Sequence, residues 1–250
     1  MSEEILFYIA VGFLAQMVDG AIGMAYGITS TSVMLSAGVP PATASACVHA
    51  AEMFTTGASG LSHWKFGNVD KRIIWRLAIP GMIGGVLGAY VLTAIDGNLI
   101  KPYISAYLLL MGIFILYKAI HRKPHFVDEP PTNIVPLGLF GGFVDAIGGG
   151  GWGPMVTSTL LGQGGVPRYT IGSVNLAEFF VTAAISATFV FTIGLELWPI
   201  ITGLIIGGIM AAPLAALIAK QVPAKPLMII VGFVVIVLSA RTIAISGGLV

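Results

Sequence analysis

The chain carries one pattern twice. Residues Gly12 to Thr56 lie on Gly138 to Thr182 without a gap, a shift of 126 positions. Val18-Asp19 falls on Val144-Asp145, Gly23 and Gly27 on Gly149 and Gly153, and Thr31-Ser32 on Thr157-Ser158. Pro41 falls on Pro167, Ala51-Glu52 on Ala177-Glu178 and Thr56 on Thr182. An internal duplication restricts the architecture to two like units and places a shared site where they meet. Apolar units with acids and glycines at matching depths are a signature of membrane transporters.

These units are apolar. Hydrophobic residues make up 56% of the chain and charged residues 9%, with a mean hydropathy of +0.95, which leaves too little polar surface to cover a soluble globule. The apolar stretches are near-continuous and do not alternate in runs of about ten residues, so an all-α polytopic membrane protein is expected in preference to a β-barrel. Met1-Ser2-Glu3-Glu4 has no basic character and no small-residue cleavage site follows, so the first segment is expected to be retained. Cys47, the single cysteine, excludes an intrachain disulfide and a thiolate cluster and reads as a packing residue. A net charge of +1 from dispersed residues offers no basic stripe for nucleic acid.

Apolar segments cover 5–36, 41–62, 73–95 and 98–119, then 133–162, 167–191, 196–219 and 225–246. This gives a first membrane repeat over 1–120, a linker over 121–132 and a second repeat over 133–250. The polar joint holds His121-Arg122-Lys123-Pro124-His125 and Asp128-Glu129-Pro130-Pro131, which disfavour helix. A straight helix from Ile5 to Ser36 would be about 48 Å long against roughly 30 Å of hydrocarbon. Asp19-Gly20, Gly23 and Gly27, and Asp145 with Gly148 to Gly151, Gly153 and Pro154, interrupt the two first segments, predicting broken or re-entrant helices. Eight full crossings would divide Lys and Arg 8 to 4 in favour of the side of the termini. Re-entrant first segments divide them 10 to 2, with only Lys101 and Arg241 beside the termini. The second arrangement is favoured; its three true crossings per copy make the repeats inverted.

Glu52 and Glu178 stand about eleven residues beyond Pro41 and Pro167, near mid-membrane, where ionisable groups are costly and face a cavity or a partner. His49, Glu52 and Thr56 share one helix face, as do Asn175, Glu178 and Thr182. The alternative for the two glutamates is a structural acid in helix packing. Asp19 and Asp145 beside the breaks read either as caps on freed backbone N–H groups or as proton or cation sites. In the glycine stretches around Gly23 and around Gly149, Gly150 and Gly151, backbone N–H groups and the following helix N-terminus suit a small oxyanion. Thr31 and Thr157 with their neighbours add hydroxyls. The competing reading is close helix packing, which applies strongly to Gly81, Gly84, Gly85, Gly88, Gly203, Gly207 and Gly208. His63, Trp64 and Lys65, with Tyr103, Tyr107, Tyr117 and Trp198, read as interfacial anchors. No nucleophile elbow, zinc pattern or phosphate-binding loop is present, so no enzyme, metal site or cofactor is expected.

The duplicated four-segment plan, the stretch from Asp145 to Pro154, Gly165-Val166-Pro167 and the counterpart Asp19-Gly20-Ala21-Ile22-Gly23 together resemble the TauE/SafE sulfite exporter family across nearly the whole chain. Copy one departs from the glycine-rich pattern at Met24-Ala25-Tyr26. The resemblance implies a multi-pass protein of the bacterial inner membrane that moves a small sulfur-containing anion such as sulfite or sulfoacetate. The reading that follows is a secondary active transporter, with Gly23, Thr31, His49, Gly149, Gly150, Gly151, Thr157 and Asn175 binding the substrate. Asp19, Glu52, Asp145 and Glu178 serve coupling or gating. A coupling proton or sodium ion and a homo-oligomer are compatible with it, and a passive anion channel is the alternative.

Overall fold

The computed structural model describes residues 2–121, 132–194, 197–218 and 224–248, and all regular structure among them is helical. The first half holds α1 (Ser2–Ile22), α2 (Tyr26–Ser36), α3 (Pro41–Lys65), α4 (Lys71–Ala94) and α5 (Gly97–His121). The second holds α6 (Ile134–Gly148), a π-helical turn (Gly153–Thr157) running into α7 (Ser158–Gly162), α8 (Pro167–Thr192), α9 (Trp198–Ile218) and α10 (Ala224–Ser246). The linker expected over 121–132 starts inside α5, and residues 122–131 lie outside the described residues.

Local chemistry explains the boundaries. Pro41 and Pro167 open α3 and α8 from the extended residues Pro40 and Val166, using a position whose N–H would have no helical partner. Asp70 caps α4 by accepting the Arg72 N–H at 2.9 Å. The Arg72 guanidinium, through its hydrogen bonds to Asp70, holds that carboxyl below the usual carboxylate range. Asp70→Ala is expected to cost about 1 kcal/mol. A group with a depressed folded value contributes above its unfolded value and loses that contribution as pH falls through the folded one. Melting at pH 7 and in acid checks both statements.

The first segment of each half packs against the other half. α1 lies along α9 and α6 along α4, while α3 pairs with α8 and α5 with α10. Glycines set the close approaches: Gly207 faces the backbone of Ile9 and Phe13, and Gly84 and Gly88 face that of Leu139 and Phe143. Position numbers in these contacts give helix directions. Gly60 meets Leu176 and Gly57 meets Phe179, so α3 and α8 are antiparallel. Gly112 meets Ile236 and Gly232 meets Leu116, so α5 and α10 are antiparallel too. Gly203 meets Ile5 and Ile9, and Gly207 meets Ile9 and Phe13, so α1 runs parallel to α9; Gly138 meets Leu77 and Gly142 meets Gly81, so α6 runs parallel to α4.

Two ends of the bundle follow. Pro41 touches Gly97, and Arg241 near the end of α10 donates to the Ser36 carbonyl at 2.7 Å, so α2 ends where α3 and α5 begin. At the opposite end, Gly172 meets His63 and Asn68, and the Asp70 N–H donates to Ser173 Oγ at 2.7 Å. α1 therefore enters and α2 leaves at one end, while α6 enters and α7 leaves at the other. With 11 residues, α2 spans about 16 Å, half the hydrocarbon thickness. Lys71–Ala94, Gly97–His121, Tyr169–Thr192 and Lys225–Ser246 are long and apolar enough to cross a membrane.

Candidate functional site

Both helix breaks are built alike. α1 stops at Gly23 (φ 71°) and α6 at Gly149 (φ 64°), left-handed conformations that glycine adopts without a Cβ penalty. The N–H groups exposed by each interruption are taken by the acid four residues before the glycine. Asp19 Oδ1 accepts from Ala25 at 2.7 Å and from Tyr26 at 3.3 Å; Asp145 Oδ1 accepts from Trp152 at 2.9 Å. The capping alternative for the two aspartates is therefore what the structure displays. Each carboxylate occupies a helix N-terminus, the end of a helix that favours negative charge.

The two breaks meet. A Cβ on Gly27 would collide with Gly150 Cα, and one on Gly153 with Met24 Cα, so both glycines are required by backbone contact between the halves. Thr31 donates through Oγ1 to the Gly149 carbonyl, tying α2 to the second break. Tyr26 and Trp152, at matching positions, are fully buried: Tyr26 Oη donates to Leu204 O of the opposite half at 3.1 Å, and Trp152 Nε1 to Val174 O of its own half at 3.4 Å.

Between the breaks is a narrow cavity of about 10 Å³, roughly the room one water requires. Of the residues expected at the site, Asp19, Glu52, Asp145, Glu178, Gly150 and Gly151 line it. The remaining lining comes from Met24 to Ile28, Gly153 and Pro154. Glu52 accepts the Gly27 N–H, while its Oε2 is buried without a partner among the described residues. Thr56 and Thr182 bond back to the carbonyls of Glu52 and Glu178 at 2.7 and 2.9 Å, repeating one local arrangement on α3 and α8.

The other expected residues stand behind this lining. Gly23 and Gly149 shape the turns, and Thr31 ties them. Thr157 is fully buried, its hydroxyl without a partner among the described residues. Asn175 sits in the α3/α8 interface, where Nδ2 donates to Ser59 Oγ at 2.9 Å. His49 reaches Asp145 Oδ2 through Nε2 at 3.2 Å and the Ser45 carbonyl through Nδ1 at 2.8 Å.

One position differs from the sequence expectation. Tyr107 is no interfacial anchor: its hydroxyl donates to Gly150 O at 3.2 Å and its ring packs on Gly148 and Gly151. Its place ten residues into α5 puts it at the depth of the break, which aromatic character alone does not reveal. Lys118, in the last turn of α5, donates through its ammonium to Ser158 Oγ beside the Met24 thioether. Gly207, by contrast, behaves as expected of a packing glycine, against α1 backbone. Among the described residues no cluster of His, Cys, Asp and Glu is arranged to hold a metal ion.

An all-helical apolar bundle whose two interrupted helices meet at a buried polar cavity defines a multi-pass membrane transporter. A family model for the sulfite exporter TauE/SafE matches residues 8–242, and the chain belongs to that family. It is 44% identical to the probable membrane transporter protein YtnM of Bacillus subtilis (strain 168), with 96% of this chain and 83% of the relative covered. It is 25% identical to the probable membrane transporter protein ORF9 of a Sinorhizobium species, with 73% and 65% covered. No solved structure matches. These relatives are transporters, and this protein is a transporter and not an enzyme.

Proposed function

We propose that the protein is a secondary active carrier of a small sulfur-containing oxyanion, sulfite, sulfoacetate or a compound of that size, across the bacterial inner membrane. The observation that carries this reading is the meeting of two helix breaks, entering from opposite ends, at one narrow cavity lined by four carboxyl groups. The antiparallel pairs α3/α8 and α5/α10 support inverted repeats, the arrangement suited to alternating access. A space of about 10 Å³ supports a carrier over a passive channel, because it is too small to admit an anion until the hairpins part.

The binding chemistry is an exchange. N–H groups of Ala25, Tyr26 and Trp152 already hold the Asp19 and Asp145 carboxylates, and a substrate anion competes for the same donors. An anion about 4 Å from an ionised carboxylate meets about 4 kcal/mol of repulsion at an effective dielectric of 20. Cavity carboxyls that take up protons as the anion enters remove that repulsion. Glu52 and Glu178, facing the cavity from symmetric positions, fill the coupling or gating role in this scheme.

Thermal stabilisation of purified protein by sulfite, sulfate, thiosulfate, taurine and sulfoacetate is the first test. A ligand at 100 times its Kd stabilises by about 2.7 kcal/mol, which a melting curve resolves. Saturable flux and counterflow are expected in vesicles; linear, non-exchanging flux would indicate a channel. Orientation is tested separately. Lys65, Lys71, Arg72, Arg76 and Lys118 lie toward the end where α3 and α5 finish, opposite Lys101 and Arg241. A reporter after Val250 is expected in the periplasm and one near Pro124 in the cytoplasm. Cytoplasmic signal from both would support eight full crossings.

A further inference from the structure

We infer that a single proton is shared between His49 and Asp145, that it locks α3 to the second helix break, and that the ion coupled to transport is therefore a proton. The inference rests on the carrier reading for its second half only. Its first half follows from hydrogen-bond chemistry. His49 Nδ1 lies 2.8 Å from the Ser45 carbonyl, which can only accept, so Nδ1 carries the hydrogen. His49 Nε2 lies 3.2 Å from Asp145 Oδ2. With Nδ1 protonated, a neutral ring presents a lone pair at Nε2, and an ionised carboxylate presents lone pairs in return. Two acceptors do not bond; the contact holds when one proton lies between them, on Nε2 or on Oδ2.

The surroundings make this proton consequential. His49 and Asp145 are 0% and 1% exposed, so loss of the proton leaves two facing acceptors that water does not screen. The other titratable groups near the pair are Glu52 on the same helix, Glu178 on α8, Asp19 at the first break and the Tyr107 phenol on α5. Phe189 of α8 packs against the imidazole at 6.4 Å between ring centres. Among the described residues no Lys or Arg lines the cavity. Loss of the shared proton, to water admitted when the cavity opens, would part α3 from the α6 end and free the second hairpin.

The lock belongs to one half. Asn175, the counterpart of His49, turns to Ser59, and Asp19, the counterpart of Asp145, accepts from backbone N–H groups. The same Asp145 carboxylate caps the break through Oδ1 and holds His49 through Oδ2, so the protonation of one pair reaches the Trp152 N–H directly.

Nitrogen-15 NMR of the imidazoles decides the first half without any substrate. The chain has four histidines, and the His49 signals are assigned by their absence in His49→Asn. The expected spectrum near neutral pH shows Nδ1 protonated and a hydrogen-bonded proton between Nε2 and Asp145 that is lost in Asp145→Asn. An unprotonated Nδ1, or a His49 spectrum unchanged in Asp145→Asn, would overturn the assignment. Should Asp145→Asn fail to fold, the wild-type spectrum alone still decides, since an unprotonated Nδ1 or an absent bridging proton refutes it. The second half is read in vesicles with thiosulfate, whose charge is constant between pH 6 and 8. Accumulation driven by a pH gradient, and reduced at least tenfold in His49→Gln, is expected. Accumulation driven by sodium and indifferent to the pH gradient would overturn proton coupling. If wild-type vesicles move no thiosulfate under any gradient, the carrier reading for that anion falls, and the NMR result still decides the shared proton.

Discussion

Gly150→Val is expected to lower the melting temperature by about 10 °C or to prevent assembly, whereas Gly162→Val changes it little. At Gly150 a Cβ would overlap the backbone of Gly27 and Ile28, and φ is 149°, in the region that disfavours a β-branched residue. Strain of about 1–3 kcal/mol adds to overpacking of about 1–3 kcal/mol, and the neighbours that would have to yield are backbone. At roughly 2–4 °C per kcal/mol for a chain of this length, the sum reaches the stated shift. Gly162 ends α7, and a Cβ there would have nothing within 4 Å, so its variant controls for valine itself. Gly207 is unsuitable as a control, because a Cβ there meets the Ile9 backbone and would separate α1 from α9. Wild-type melting of Gly150→Val would show that the two breaks do not touch as described.

Much of this site is legible in the sequence because its determinants are local. An acid four residues before a glycine, repeated after 126 positions, gives the cap, the left-handed turn and the interruption. The same spacing brings Glu52 and Glu178 to matching depth. What neighbours each residue is not local. Helical spacing puts His49 and Asn175 on the faces of Glu52 and Glu178, yet the side chains diverge, His49 to Asp145 and Asn175 to Ser59. That choice depends on the position of α6 against α3, set by glycine contacts between α4 and α6. Tyr107 is a second instance: 43 residues separate it from Gly150, and its ring gives no sign of which depth it serves. Capping and anion binding use the same backbone donors, so residue types alone leave both readings open for Asp19 and Asp145.

Glu52→Gln is expected to abolish uphill transport while leaving the fold and the binding of anion intact. The amide oxygen of glutamine can still accept the Gly27 N–H, so the contact between α3 and α2 survives, and melting should move by less than about 1 kcal/mol. What disappears is the group that gains and loses a proton. In the wild-type protein, anion binding is expected to weaken as pH rises, because ionised cavity carboxylates repel the substrate. The slope of log Kd against pH counts the protons taken up with each anion. Removing one titratable group that takes up a full proton should lower that slope by about one, leaving Glu52→Gln tighter than wild type at high pH. Glu178→Gln should act in the same sense, with a different size, since the halves differ at His49 and Asn175. Calorimetric or thermal-shift titrations at several pH values give the slopes, and vesicle uptake gives the transport. Unchanged slope together with unchanged accumulation in both variants would reduce these glutamates to structural acids and leave the His49–Asp145 pair as the proton site at the breaks.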